Sequence, residues 1–122
     1  MASDRAKRAH AAYVRQGQTE QVVHRPGGMP LPGSPDNSRP IEALVDRAGV
    51  QPAMNAAAPE LHVAVLNDAD GGIPTVAAGG VAALDRGTDV LEVAEMVGGT
   101  RQPRGIKRIV SQDSDWLTLA LQ

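Results

Sequence analysis

Residues 84–122 read LDRGTDVLEVAEMVGGTRQPRGIKRIVSQDSDWLTLALQ, and this stretch decides the fold. It contains three short runs of β-type residues, 90–97, 106–110 and 116–121, which are separated by turn-forming residues. Such spacing predicts an antiparallel meander that forms the core of the domain. The last run carries no charge on either face, so we expect another element or a neighbouring chain to cover both faces.

The alternation of side chains assigns two faces to these strands. Leu91 and Val93 alternate with Glu92 and Ala94, which predicts one apolar face and one largely polar face. The alternation slips within 106–110, which predicts a β-bulge or a strand buried on both faces. In the last run, one face holds Leu117, Leu119 and Leu121, and the other holds Trp116, Thr118 and Ala120.

The composition limits the classes of protein to which the chain can belong. It has 122 residues, a formal charge of −2, no Cys, no Phe, one Trp and one Tyr. The length predicts one domain, and the lack of Cys excludes disulfides and thiolate metal sites. The charge predicts no general attraction to nucleic acid. Because no apolar run is long enough for a membrane span or a secretion signal, we expect a soluble cytoplasmic product.

Residues 1–17 predict an N-terminal arm. A short helix is favoured over 3–16, because Ser3 can cap it and alanine is the best helix former. Its apolar stripe is thin, so we expect the helix to be docked on a partner or disordered. The charges either form a solvated face or serve a binding arm. Through residue 16 they sum to +3, from Arg5, Lys7, Arg8 and Arg15 against Asp4.

Residues 18–122 predict a single β domain. Further strands are indicated over 18–25, 40–47 and 60–67. The predicted fold class is therefore mainly β, a small antiparallel sandwich or barrel of about six strands with long loops. The predicted connections are a surface hairpin loop at 26–35, a loop at 48–59, a glycine-rich, mobile-looking segment at 68–80 and an extended hairpin tip at 98–105. The loop at 48–59 is nearly uncharged, which indicates a surface that contacts a partner.

The ionisable residues do not form a pattern that predicts catalysis or metal binding. Residues 67–72 superficially resemble a calcium loop, but both the first and the bidentate ligand are missing, which favours a plain Asp/Gly turn. Asp113 and Asp115 likewise predict a tight turn. We therefore expect that the protein is not an enzyme and binds no cofactor. No two of the histidines are spaced like the protein ligands of a zinc site, so we interpret them as scattered surface or edge residues. They are His10, His24 and His62.

A series of short motifs runs in order along residues 18–122. They are a strand ending in Asp at 41–46, Pro59-Glu60-Leu61, the turn Gly87-Thr88-Asp89, the polar turn 113–115 and the ending Leu117-Thr118-Leu119. In order and length these motifs resemble the small head–tail joining proteins of lambda-like tailed phages. The chain departs from that pattern in its long loop at 26–40, an inserted segment at 69–83 and the Thr between Gly and Asp in the turn.

The resemblance implies a small β-sandwich or barrel without catalytic activity, which forms a ring in the virion neck. The implied partners are further copies of the chain, expected as a hexamer, the head-side connector or adaptor protein, the tail terminator or tail tube protein, and the genomic DNA, contacted non-specifically in the channel. The residues expected to bind partners are Arg5, Lys7, Arg8, Tyr13, Val50, Met54, Arg101 and Arg104. Trp116 and Thr118 are expected at the subunit interface, on a face that lies against either the N-terminal helix or the adjacent subunit.

Two other functions remain open at this point. One is a different phage part, such as a tail terminator or a capsid decoration protein. The other is a stand-alone β-barrel module that binds a ligand or DNA, for which DNA affinity would depend steeply on salt.

Overall fold

A computed structural model of the chain describes residues 2–29, 31–33, 38–47, 61–68, 71–74, 84 and 87–122. Within these residues the chain is mainly β, with six antiparallel strands and a short N-terminal helix, as predicted. The elements are α1 (Asp4–Arg15), β1 (Glu20–Arg25), β2 (Arg39–Asp46), β3 (Leu61–Leu66), β4 (Val90–Ala94), β5 (Arg101–Gln112) and β6 (Trp116–Leu121).

The six strands close into a barrel in the order β1-β2-β3-β6-β5-β4. Two of them change partners along their length. Residues 39–43 of β2 pair with β1 and residues 44–46 pair with β3. Residues 101–105 of β5 pair with β4, and the strand pairs with β6 from Ile106 onward. Strands that pass from one sheet to another make the corners of such a structure, so β2 and β5 close the barrel.

β5 is longer than the sequence predicts. Residues 101–105, expected in a hairpin tip, form the antiparallel partner of β4. Pro103 is tolerated there because, among the described strands, this half of β5 pairs only with β4, and proline is accepted on such an edge. The register shifts between Ile106 and Arg108 and between Ile109 and Ser111, which confirms that the alternation of this strand is irregular.

The barrel interior is filled by aliphatic side chains. Ile73 belongs to it, with no exposed surface, and its N–H donates to the carbonyl of Leu66 at 2.9 Å. The interpretation of 68–80 as a mobile-looking segment is therefore wrong at this residue. A large aliphatic side chain between two strands gains more by filling the barrel than by staying in solvent. Within the described part of the chain, the core contains Val22, Ile41, Ala43, Leu61, Val63, Val65, Ile73, Leu91, Val93, Ile106, Leu117, Leu119 and Leu121.

α1 packs on the outside of its own barrel, so the expectation of a partner-docked or disordered arm is wrong. Ala2 and Ala6 form a second apolar cluster with Leu66, against which Trp116 packs. The small alanine side chains let the helix approach the strands closely, and Trp116 supplies the apolar area that the thin stripe lacks. The Ser3 side chain accepts the N–H of Ala6 at 3.2 Å, which confirms the predicted N-cap.

Candidate interaction surfaces

The hairpin between β4 and β5 exposes two large apolar side chains at one end of the barrel. Met96 is 69% exposed and Val97 is 77% exposed. Gly98 follows with φ +78°, a conformation that favours glycine, and the N–H of Gly99 donates to the carbonyl of Met96 at 3.0 Å. The turn therefore presents both side chains to solvent. We call Met96 and Val97 the apolar knob.

Arg47 fixes the base of this hairpin. Its guanidinium donates to both carboxylate oxygens of Glu20, at 2.5 and 2.8 Å, and to the carbonyls of Ala94 and Glu95, at 2.8 and 3.0 Å. Hydrogen bonding to Glu20 raises the pKa of Arg47 above its ordinary value, although partial burial opposes the change. The group is therefore a permanent cation that joins the ends of β1, β2 and β4.

An apolar groove lies on the outer face of β2, β3 and β6. Leu44, Ala64 and Thr118 occupy neighbouring positions across these three strands, because Leu44 pairs with Ala64 and Ala64 pairs with Thr118. The groove has a volume of about 230 Å³. Among the described residues, its lining is Leu44, Val45, Asp46, His62, Ala64 and Thr118. We call this feature the apolar groove.

The outer face of α1 carries a stripe of arginines. Arg5, Arg8 and Arg15 are exposed, and at 3.6 residues per turn they lie within about 80° of one another around the helix. In the part of the chain that the structure describes, none of these guanidinium groups forms an ion pair. The arginine stripe is thus a surface of uncompensated positive charge, about 15 Å long.

Lys7 and Tyr13, expected to bind partners, instead help to hold α1 on the barrel. The ammonium group of Lys7 lies 3.6 Å from a carboxylate oxygen of the buried Asp68. The ring of Tyr13 is half-buried, and its centroid is 6.4 Å from that of Trp116. His10 also contacts this region, since its Nε2 lies 2.8 Å from the carbonyl oxygen of Glu42. These contacts attach α1 at several points along its length.

A buried histidine–aspartate pair lies where the predicted Gly-Thr-Asp turn enters β4. Nε2 of His24 is 2.8 Å from Oδ2 of Asp89, and both side chains are almost completely buried. Oδ1 of Asp89 accepts the N–H of Gly27 at 2.9 Å. The interpretation of His24 as a surface or edge histidine is therefore wrong, because the carboxylate of Asp89 lets the ring be buried at the end of β1.

The turn between β5 and β6 is held by an aspartate, as the sequence predicts. Oδ1 of Asp113 accepts the N–H groups of Trp116 and Asp115, both at 2.7 Å. The N–H of Trp116, and next that of Asp115, lowers the pKa of the Asp113 carboxyl. Oδ1 of Asp115 accepts the N–H of Ser3 at 2.8 Å, so this turn also positions the start of α1.

Comparison with known proteins finds no matching family model, no matching curated protein and no matching solved structure. Among the described residues, no three His, Asp or Glu side chains are grouped closely enough to hold a metal ion. The described part of the chain also contains no helix long and apolar enough to cross a membrane.

The residues predicted to bind partners are distributed among these features. Arg101 and Arg104 lie on β5, where Arg101 donates to Gln21 and Arg104 donates to the carbonyls of Val93 and Gln122. They are therefore strand residues rather than parts of a free tip. Trp116 and Thr118 lie on one outer face, but Trp116 packs under α1 while Thr118 lines the apolar groove. Val50 and Met54 lie outside the described residues.

The apolar knob and most of the apolar groove are not predicted by the sequence patterns described above. Two apolar residues directly before a Gly-Gly pair, Met96 and Val97, were an available signal, because such side chains at a turn have no core to fill. Leu44 and Ala64 gave no such signal. They come together only through the pairing of β2 with β3, and each alone is typical of an ordinary strand.

Proposed function

We propose that this chain is a structural protein of a tailed-phage neck, which forms a ring joining the DNA-filled head to the tail. The observation that carries the proposal is the distribution of exposed apolar surface around the barrel. Met96 and Val97 project at one end, while Met29 and Leu31, 53% and 74% exposed, lie in the loop at the other end. A protein clamped between rings above and below needs contact surfaces at both ends.

The closed barrel supports assembly through side chains rather than strand addition. Closing the sheet into a barrel leaves short free edges, such as residues 101–105 of β5, rather than a whole edge strand through which sheets extend from one chain to the next. Contacts with neighbouring copies and with the connector and tail proteins then depend on exposed apolar groups such as the knob and the groove. Each contact is weak alone, and repetition around a ring makes the assembly stable.

The arginine stripe supports a location beside the genome. Three guanidinium groups along one helix face offer non-specific contacts to phosphates, whose strength depends on salt rather than on sequence. Asp4 is the one acidic residue in α1, so it does not cancel the charge of Arg5, Arg8 and Arg15. In the proposed ring this face of α1 lies toward the DNA channel.

The experiment is inactivation of the gene in the phage or prophage that encodes the chain, followed by electron microscopy of the lysate. The proposal predicts DNA-filled heads and complete tails that remain separate. Tails of abnormal length would identify a tail terminator, and joined virions with fragile heads would identify a decoration protein. Either result, or normal virions, would overturn the proposal.

A second candidate, favoured by the arginine stripe, is a stand-alone DNA-binding protein. It predicts that the purified monomer binds duplex DNA without any other virion component, with affinity that falls steeply as salt rises. Arg5→Ala combined with Arg8→Ala should then abolish this binding. A neck protein predicts weak affinity of the isolated chain and association only with assembled particles.

A further inference from the structure

The arginine stripe is held in a fixed position on the barrel. α1 is attached through the N–H of Ser3, which donates to Asp115, and through Trp116, which packs beneath it. A free peptide of 12 residues would not keep a stable helix in water. Because the barrel holds α1, the guanidinium groups keep helical spacing. The rise is about 4.5 Å between the first two arginines and about 10.5 Å between the second and the third.

The charges of the stripe stabilise nothing within the described part of the chain. Arg5 and Arg8 lie one turn apart, and like charges on neighbouring turns repel each other and weaken a helix. All three arginines are exposed, and none of their guanidinium groups forms an ion pair or a hydrogen bond with another described residue. Charges that cost the helix stability without a contact of their own indicate an anionic partner outside the chain.

The residues around the stripe favour a polyphosphate over a protein as that partner. The other residues of this face are Asp4, Ala11 and Ala12, whose side chains are short. Val14, the exposed aliphatic residue of α1, is turned about 100° away from Arg15. The core of a protein–protein interface needs aromatic or large apolar anchors, and this face offers none. A phosphate backbone needs only positive charge and hydrogen-bond donors.

The aromatic residues of the chain favour duplex DNA over a single strand. Proteins that bind single strands stack the bases on exposed aromatic rings. This chain has one Trp, one Tyr and no Phe, and the rings of Trp116 and Tyr13 lie near each other on the inner side of α1. The stripe therefore has no ring for a base. α1 also contains no Asn or Gln, the residues that read adenine in the major groove.

We propose that the arginine stripe binds the backbone of duplex DNA, with three phosphates neutralised per copy and without recognition of base sequence. This inference rests on the neck function proposed above, in which the duplex is the packaged genome, and it specifies the contacts that each copy makes. Three contacts give weak binding by one copy, and repetition around a ring multiplies them.

The test is a salt titration of the monomeric protein with a fluorescent duplex oligonucleotide, followed by anisotropy. The logarithm of the binding constant should fall against the logarithm of the salt concentration with a slope of about −2.7, since each phosphate contributes about 0.9. Binding should therefore weaken about 40-fold between 50 and 200 mM salt.

Single substitutions locate the contact. Arg8→Ala should bring the slope about 0.9 closer to zero, whereas Arg8→Lys, which keeps the charge, should preserve it. Arg101→Ala removes an exposed arginine of β5 and is the matched control, which should leave the slope unchanged. Circular dichroism confirms that each variant is folded. A single strand of the same length should bind several-fold more weakly, and A·T-rich and G·C-rich duplexes should bind equally.

Four outcomes would overturn the inference. The first is an equal slope for the wild type and Arg8→Ala, and the second is tighter binding of the single strand. The third is a more than tenfold preference between the two duplexes, which would mean base recognition. The fourth is tighter binding of polyglutamate than of the duplex, which would identify an acidic protein as the partner.

The joining of heads to tails separates this inference from the proposed function. A wild-type chain that joins them but shows no salt-dependent binding to the duplex refutes the role of the stripe and leaves the neck function intact. A wild-type chain that binds the duplex as described but does not join heads to tails refutes the neck function and leaves the role of the stripe intact.

Discussion

The imidazole of His24 and the carboxylate of Asp89 form a buried hydrogen-bonded pair, with Nε2 and Oδ2 2.8 Å apart. The second oxygen of Asp89 accepts the N–H of Gly27. One side chain at the entrance to β4 thus fixes both the last part of β1 and the turn that follows it. The Gly87-Thr88-Asp89 motif therefore has a structural role, which is to join the two halves of the barrel where β1 pairs with β4.

Asp89→Ala should destabilise the protein strongly, because it leaves His24 buried without its partner. A buried polar group that loses its hydrogen-bond partner costs roughly 1–3 kcal/mol. Urea unfolding measures the change in free energy. Thr88→Ala, in the same turn but exposed, is the control and should change the free energy by less than about 0.5 kcal/mol. Equal effects of the two substitutions would show that the pair does not hold this corner.

Ala6→Glu should release α1 from the barrel while the strands stay folded. The substitution places a carboxylate between the helix and the apolar cluster of Leu66 and Trp116, where its burial would cost more than the roughly 1–3 kcal/mol of a neutral polar group. Trp116 is the only tryptophan, so its fluorescence should shift to the red as it becomes hydrated. Val14→Glu, on the exposed side of α1, should leave the emission unchanged. Loss of the β-sheet signal in Ala6→Glu would mean that the helix is part of the folding core.

Arg47→Ala should loosen the end of the barrel that carries the knob. A hydrogen bond to a charged group contributes roughly 1.5–3 kcal/mol to stability. This guanidinium donates to Glu20 and to two backbone carbonyls. Arg47→Lys should recover less than half of the loss, because an ammonium group cannot reproduce the planar fork. Arg8→Ala removes an exposed arginine without an ion pair and is the control. Full recovery by lysine in urea unfolding would contradict the bidentate role.

Asp113→Asn should weaken the protein at neutral pH and have less effect in acid. The pKa of Asp113 is lowered in the folded state, so its contribution is present above the unfolded pKa of about 4 and is lost as pH falls through the folded value. The urea midpoints of the wild type and the variant should therefore differ at pH 7 and converge below that range. Ser114→Ala, in the same turn, should show no such dependence. A constant difference between the midpoints at all pH values would contradict this role.

The strands with regular alternation could be predicted from the sequence, because a half-buried strand repeats every two residues. β3 and β6 illustrate this, with Val63 and Leu119 buried and Thr118 partly exposed. The start of β5 could not be predicted in the same way. Pro103 is typical of a loop, and it becomes a strand residue only because β4 supplies a partner on one side.

Contacts between distant parts of the chain account for the other differences between the sequence-based predictions and the structure. The alanine stripe of α1 is too weak to predict docking until Trp116, more than a hundred residues later, lies beneath it. His24 can be buried because the hydrogen bond with Asp89 offsets the cost of removing the polar ring from water. Nothing near His24 in the sequence indicates that partner. The groove similarly depends on the pairing of β2 with β3. Local pattern predicted the elements, and tertiary contacts determined which residues are exposed for binding.

The most direct test of the neck function is reconstitution with purified protein. DNA-filled heads and free tails from the phage lacking this gene are mixed with the purified chain, and joined particles are counted by electron microscopy and plaque assay. We expect the wild-type protein to restore joined, infectious particles and an equal amount of Met96→Asp to leave heads and tails separate. Heads and tails that remain separate in the presence of folded wild-type protein would contradict the neck function.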